Sequence, residues 1–230
     1  APFTAPAHVT RVDGEAFAEV ATRAGGTTNT LFTAIGLGVL EATGRVGPGD
    51  VVGASLPMST RGPGDRRANA TTGVTARVTV DDTRYRDLRP LRWASKHAFA
   101  SLGDSPSARA QLGVLGQALP DPLIRRLSTT MTAPLCLTSN LGRLSTGFAS
   151  LGGSRPVPVV VRAVTVGAGL ATVRRMAGGL SAWISESDGG HTLAFTSLDP
   201  DRVADAATLS ALVQGELGRW GLVGQHWCRF

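Results

Sequence analysis

Between Thr132 and Phe148 the chain reads T-A-P-L-C-L-T-S-N-L-G-R-L-S-T-G-F, and this stretch constrains the fold more than any other. Pro134 opens it and the apolar run Leu135-Cys136-Leu137 follows. Ser139-Asn140-Leu141-Gly142 then closes the run with small polar residues and a glycine. The pattern predicts a buried strand ending in a shaped turn. Strand ends of that kind expose backbone N–H and amide groups at a sheet edge, a common place to hold a substrate. Most of the remaining chain reads as scaffold for that edge.

The scaffold is large enough for a substantial core. With 230 residues, 42% of them apolar, the chain is globular and forms one large domain or two small ones. Aromatic residues make up only 5%, which argues against a stacking surface for single-stranded nucleic acid. The net charge is +6, but the arginines are scattered as singles and pairs, and only Arg84, Arg86, Arg89 and Arg92 form a cluster. No nucleic-acid-reading motif accompanies them, and anionic small partners, such as a phosphopantetheine thioester on coenzyme A or an acidic carrier protein, fit the charge equally well. Apolar stretches are broken well before the roughly 18 residues of a membrane span. Cys136 and Cys228 stand far apart without further thiols or histidines at ligand spacing, so neither a disulfide framework nor a metal site is expected and the cytoplasm is the default location.

Taken in order, residues 1–12 read as a linker or lead segment and residues 13–230 as one lobe. Asp13 is placed to cap a helix from Gly14 to Ala24, which Gly25-Gly26 ends. Thr27-Thr28-Asn29-Thr30 opens a second helix carrying Leu31, Phe32, Ile35, Val39 and Leu40, with Asn29 read as its cap. Gly36 and Gly38 inside it call for a backbone passing close by. Strands are predicted at Val51–Pro57 and Thr72–Val80, separated by a polar loop. Helices are predicted at Asp87–Leu102, Pro106–Leu119 and Pro122–Thr129, each with a proline at or near its start. The valine-rich run Val157–Val166 reads as a central strand. Leu180–Glu186 and Thr192–Leu198 form a hairpin across Ser187-Asp188-Gly189-Gly190, and Asp199-Pro200 caps a last helix reaching about Trp220. The fold class expected is α/β: a mixed sheet with packed helices.

Four places in this order carry a resemblance. They are Thr27-Thr28-Asn29-Thr30-Leu31, the strand end Pro57-Met58-Ser59-Thr60-Arg61, Arg67-Ala68-Asn69 before the next strand, and Leu137-Thr138-Ser139-Asn140-Leu141-Gly142. Together they resemble the C-terminal half of the chloramphenicol acetyltransferase-like superfamily, which includes peptide-synthetase condensation domains, wax ester synthases and polyketide-associated acyltransferases. Ala68 departs from the glycine usual at its position. The resemblance implies a two-lobed fold whose N-terminal lobe supplies a His-His-x-x-x-Asp-Gly motif. The second His of that motif deprotonates an alcohol or amine, which attacks an acyl thioester on coenzyme A or a carrier protein. The lobe resembled here closes the tunnel and binds substrate, with no cofactor of its own.

This chain has no such His motif, so no catalytic residue and no metal ligand is assigned to it. The nearest approach runs from Ala7-His8 to Asp13-Gly14, with the first His replaced and the Asp-Gly one residue too far along, and His8 is read as linker. The resemblance places Ser139, Asn140 and Gly142 on the substrate or oxyanion side, Ser139 more as a structural residue. For Asn140 two readings stand: an amide donor to an oxyanion, or a residue that satisfies a tight turn. Asn29, Arg61 and Asn69 are assigned structural or donor-binding roles, Arg61 anchoring its loop or meeting a donor phosphate. The expected partners are an N-terminal lobe, in the same or a separate chain, and an acyl carrier protein. The alternative function is a non-catalytic lobe that binds a separate N-terminal half or a carrier.

Overall fold

The structure, a computed structural model, describes residues 3–62, 64–66, 70–101, 133–150, 157–162 and 169–227. Strand β1 (Ala7–Asp13) runs straight into α1 (Gly14–Arg23), where the Asp13 carboxylate accepts the Ala16 N–H at 2.9 Å. Helix α2 (Thr28–Ala42) starts at Thr27, whose hydroxyl accepts the Thr30 N–H, and Thr30 through Leu40 are all buried. A helix apolar all round belongs in a core. Strands β2 (Val51–Ser59) and β3 (Thr71–Thr79) follow, then α3 (Arg89–Ala100), with Pro90 in its first turn. Strand β4 (Cys136–Arg143), the short helices α4 (Thr146–Ala149) and α5 (Leu170–Met176), the hairpin β5 (Leu180–Ser187) and β6 (Gly190–Ser197), α6 (Ala206–Arg219) and β7 (Gln225–His226) complete the described chain.

The seven strands form one sheet in the order β3-β2-β4-β5-β6-β1-β7. It is mixed, as expected: β2 with β4 and β4 with β5 are parallel, and the other neighbours are antiparallel. Helices α1, α2 and α6 share one apolar core with the sheet, centred on Phe17, Phe32, Ile35, Leu193, Phe195 and Leu217. Each such side chain contributes about 1.5–3 kcal/mol on burial. Helix α3 closes a smaller cluster, setting Ala94, Ala98 and Phe99 on Leu56, Val74 and Ala76.

Several expectations change. Residues 7–12 are not linker but most of β1, paired along its length with β6. Their buried positions are His8, Thr10 and Val12, so polar residues face inward and the hydropathy alternation that marks a strand is muted. Of the central strand expected at Val157–Val166, residues 163–166 lie outside the described residues, and the described part, Val157–Arg162, is no strand. It lies outside the sheet, attached where the Ser185 hydroxyl donates to the Val159 carbonyl at 2.9 Å and the Val159 N–H donates to the Ser187 hydroxyl at 3.3 Å. The last helix is capped by Asp205, not Asp199, whose carbonyl instead accepts the Val203 N–H in a preceding turn. Gly36 and Gly38 make room for side chains rather than a backbone. A Cβ on Gly36 would stand 2.8 Å from Thr138 Cγ2, and one on Gly38 would stand 2.1 Å from Glu216 Oε1. Glu216 is buried there, accepting from the Tyr85 hydroxyl at 2.7 Å and Trp220 Nε1 at 2.9 Å, and burial pushes its carboxyl pKa up. The helices expected at 106–119 and 122–129, and Cys228, lie outside the described residues.

His8 gives the fold a pH dependence. It is 5% exposed, with the His226 ring 5.1 Å away, and burial followed by that neighbour lowers its pKa from 6.5 to about 4. The unfolded chain therefore binds more protons between those values, and stability falls as the pH drops through that window, by up to about 3 kcal/mol from this residue. Glu216, which holds its proton to higher pH, works in the opposite sense. The difference between two chains isolates His8: the wild-type urea midpoint should drop further between neutral and pH 4 than that of His8→Asn, and equal drops would remove His8 from the account.

Candidate functional site

The two parallel strands β2 and β4 lie side by side, with Ala54 opposite Cys136 and Ser55 opposite Leu137. Carboxyl ends of parallel strands are where open α/β sheets hold ligands. Here the ends of β2 and β4, the first turn of α2 and the last turn of α3 enclose a cleft of about 390 Å³. Asn29, Ser59, Thr138 and Asn140 supply its polar groups, and Leu56, Met58, Phe99 and Leu141 its apolar wall.

Local chemistry sets each side chain. Alternation along β4 turns Cys136, Thr138 and Asn140 to one side, and the Thr138 hydroxyl meets that of Thr33 on α2 at 3.1 Å. Strand β4 does not give way to a turn over Ser139–Gly142, as expected from the sequence, but continues to Arg143 with a register shift between Asn140 and Arg143. Gly142, at φ 69°, makes that shift, and its N–H donates to Asn140 Oδ1 at 2.8 Å. This bond fixes the amide, because only the oxygen accepts, and it leaves the Asn140 NH₂ without a partner among the described residues. Asn140 thus braces Gly142 within the shifted strand rather than in a separate turn, and this leaves the donor reading open. A Cβ at Gly142 meets no atom within 4 Å, so Gly142→Ala tests backbone strain alone. It should cost about 1 kcal/mol in chemical denaturation.

Of the residues singled out in the sequence, Asn29, Asn140 and Gly142 converge on the cleft. Asn29 is not the cap of α2, which is Thr27; it lies in the first turn and brings the positive end of the helix dipole to the cleft wall. Ser139 does not line the cleft: it alternates to the opposite sheet face and is buried. Arg61 is exposed beyond the end of β2, outside the lining, with its N–H donating to the Ser59 hydroxyl at 3.3 Å. Asn69 lies outside the described residues. The sequence reading missed Ser59, Thr138 and Phe99 as site residues. The first two stand inside motifs it quoted, whereas nothing local marks Phe99.

The described residues lining the cleft include no histidine or carboxylate. His97 is exposed on α3 beside Trp93, His191 packs its ring 5.0 Å from Phe17, and His8 and His226 sit at the far edge of the sheet. Cys136 is buried, and burial raises its thiol pKa to about 12, so it is no nucleophile at neutral pH. Among the described residues no cluster of three or more His, Cys, Asp or Glu is poised to hold a metal.

No protein-family model and no curated protein matches the chain. Solved structures do. The trichothecene 15-O-acetyltransferase TRI3 from Fusarium sporotrichioides aligns with TM-score 0.59 and 14% identity over 95% of this chain and 48% of its own. The wax ester synthase/diacylglycerol acyltransferase from Marinobacter aquaeolei VT8 aligns with TM-score 0.55 and 13% identity over 93% and 48%. A condensation domain that mediates chain release from the enacyloxin polyketide synthase aligns with TM-score 0.52 and 11% identity over 96% and 41%. The present chain thus spans less than half the length of each of these three, and across that span it has the chloramphenicol acetyltransferase-like condensation and acyltransferase fold.

Proposed function

We propose that this chain is the C-terminal lobe of a condensation-type acyltransferase, moving an acyl group from a coenzyme A or carrier-protein thioester to a hydroxyl or amine. The observation that carries the reading is the convergence of Asn29, Ser59 and Asn140 with an apolar wall at the carboxyl ends of β2 and β4. The acyl chain lies along Leu56, Met58, Phe99 and Leu141. The acceptor gives its proton to a base and attacks the thioester carbonyl, and the C–S bond breaks as the thiolate leaves. The free NH₂ of Asn140 donates to the oxyanion that forms between those steps, with the positive end of α2 behind it.

In this reading the base belongs to the other lobe, because the described cleft lining carries none. Val157–Arg162 supports a second lobe as partner: its valines favour a strand, yet it lies outside the sheet with Val157 and Val161 exposed. An assay of the isolated chain with acyl-CoA and an alcohol or amine tests the division of labour. It should give no transfer above background, and adding a lobe that carries the His motif should restore it. Robust transfer by the isolated chain would contradict the reading.

A further inference from the structure

The basic cluster at Arg84–Arg92 is not absorbed by the cleft, and the structure divides it. Arg84 turns inward onto Glu41. The rest belongs to the outer side of α3 and the loop before it. Leu91 and Ser95 are buried and Ala94, Ala98 and Phe99 pack on β2 and β3, so Arg89, Arg92, Trp93, Lys96 and His97 share the opposite face. Trp93 is 68% exposed at the middle of that face. Arg89 holds the Asp87 carboxylate through bonds of 2.8 and 2.9 Å. Arg86, Arg92 and Lys96 have no carboxylate partner among the described residues.

We propose that this face of α3 docks on an anionic lipid bilayer. An indole largely exposed to water beside Arg92 and Lys96, which have no carboxylate partner among the described residues, contributes little to the core, but it is the pair of features a bilayer surface selects: a ring for the headgroup region and cations for the negative potential. A protein partner would need a packed pocket around the aromatic anchor, and the side chains flanking Trp93 are charged or imidazole, not apolar. Phe99, in the last turn of α3, lines the cleft together with Met58 and Leu141, which are 38% and 39% exposed. The docking face and the cleft thus draw on opposite sides of the same helix, and the proposal holds whether or not the cleft performs acyl transfer.

Vesicle co-sedimentation tests the proposal, with phosphatidylcholine vesicles compared with ones in which about a third of the lipid is phosphatidylglycerol. The chain should bind the anionic vesicles and ignore the neutral ones. Arg89→Gln with Arg92→Gln and Lys96→Gln should weaken binding on the order of a hundredfold, because each cation near such a surface contributes roughly fivefold. Trp93→Ala alone should weaken it roughly fivefold or more. A control that removes the same charge elsewhere, Arg23→Gln with Arg162→Gln and Arg175→Gln, should leave binding close to wild type, and circular dichroism confirms that each variant is folded. Absence of vesicle binding would overturn the proposal, as would equal weakening by the control, which would assign binding to net charge alone. Capture of an acidic carrier protein through α3 with no affinity for vesicles would make the face a protein interface and the lipid assignment wrong.

Discussion

Gly179→Ala should destabilise the chain by about 3 kcal/mol or more, the largest loss expected from a single added methyl group. A Cβ on Gly179 would stand 2.1 Å from the Leu135 carbonyl oxygen and 2.9 Å from its carbon. Those are backbone atoms and cannot swing aside. The same oxygen accepts the Leu180 N–H at 2.8 Å, beside the first pair of the β4–β5 ladder. Relieving the clash therefore means breaking the contact that sets β4 against β5, and β4 carries Thr138 and Asn140 to the cleft. Urea denaturation should show the midpoint falling with an unchanged slope. Gly47→Ala is the control: no atom lies within 4 Å of its added Cβ, and the change should stay within about 0.5 kcal/mol. A Gly179→Ala chain as stable as wild type would mean that the β4–β5 junction is not packed as described.

Asn140→Ala should slow acyl transfer by about a hundredfold or more in the assembled two-lobed enzyme, the usual cost of removing one oxyanion donor. Alanine alone does not separate the two roles of this residue, since it also removes the acceptor for the Gly142 N–H. Asn140→Asp does. The carboxylate keeps that acceptor and so keeps the turn, while it takes away the NH₂ donor and puts a negative charge where the oxyanion forms. Asp should therefore leave the melting temperature near wild type and reduce kcat at least as much as Ala. If Asp restored the rate along with the stability, Asn140 would be a turn residue and nothing more.

Features governed by local chemistry were legible in the sequence. The β5–β6 hairpin follows from Ser187-Asp188-Gly189-Gly190, because Asp and Gly tolerate the positive φ that Asp188 and Gly189 adopt. The Asp13 cap and the place of Pro90 in the first turn of α3 follow equally directly. Where a polar residue faces inward, the pattern misleads: β1 hides His8 and Thr10, both within reach of Gln214 on α6, and so reads as a tail. Where propensity has no partner strand, it misleads in the other direction, as the valines at Val157–Arg162 do. The cleft was half legible. Asn140 and Gly142 are neighbours in sequence and one local hydrogen bond joins them. Asn29 and Phe99 reach them only because β2 pairs with β4 and two helices pack over that pair, a relation no local pattern contains.

The most direct test of the central claim, that this cleft holds an acyl thioester, is photo-crosslinking with an acyl-pantetheine analogue carrying a diazirine on its acyl chain, followed by peptide mapping. The account predicts labelling at Leu56–Ser59, Phe99 and Asn140–Gly142, competed by unlabelled acyl-CoA and reduced by Phe99→Ala. Labelling confined to other surfaces, or labelling of these segments that acyl-CoA does not displace, would contradict it.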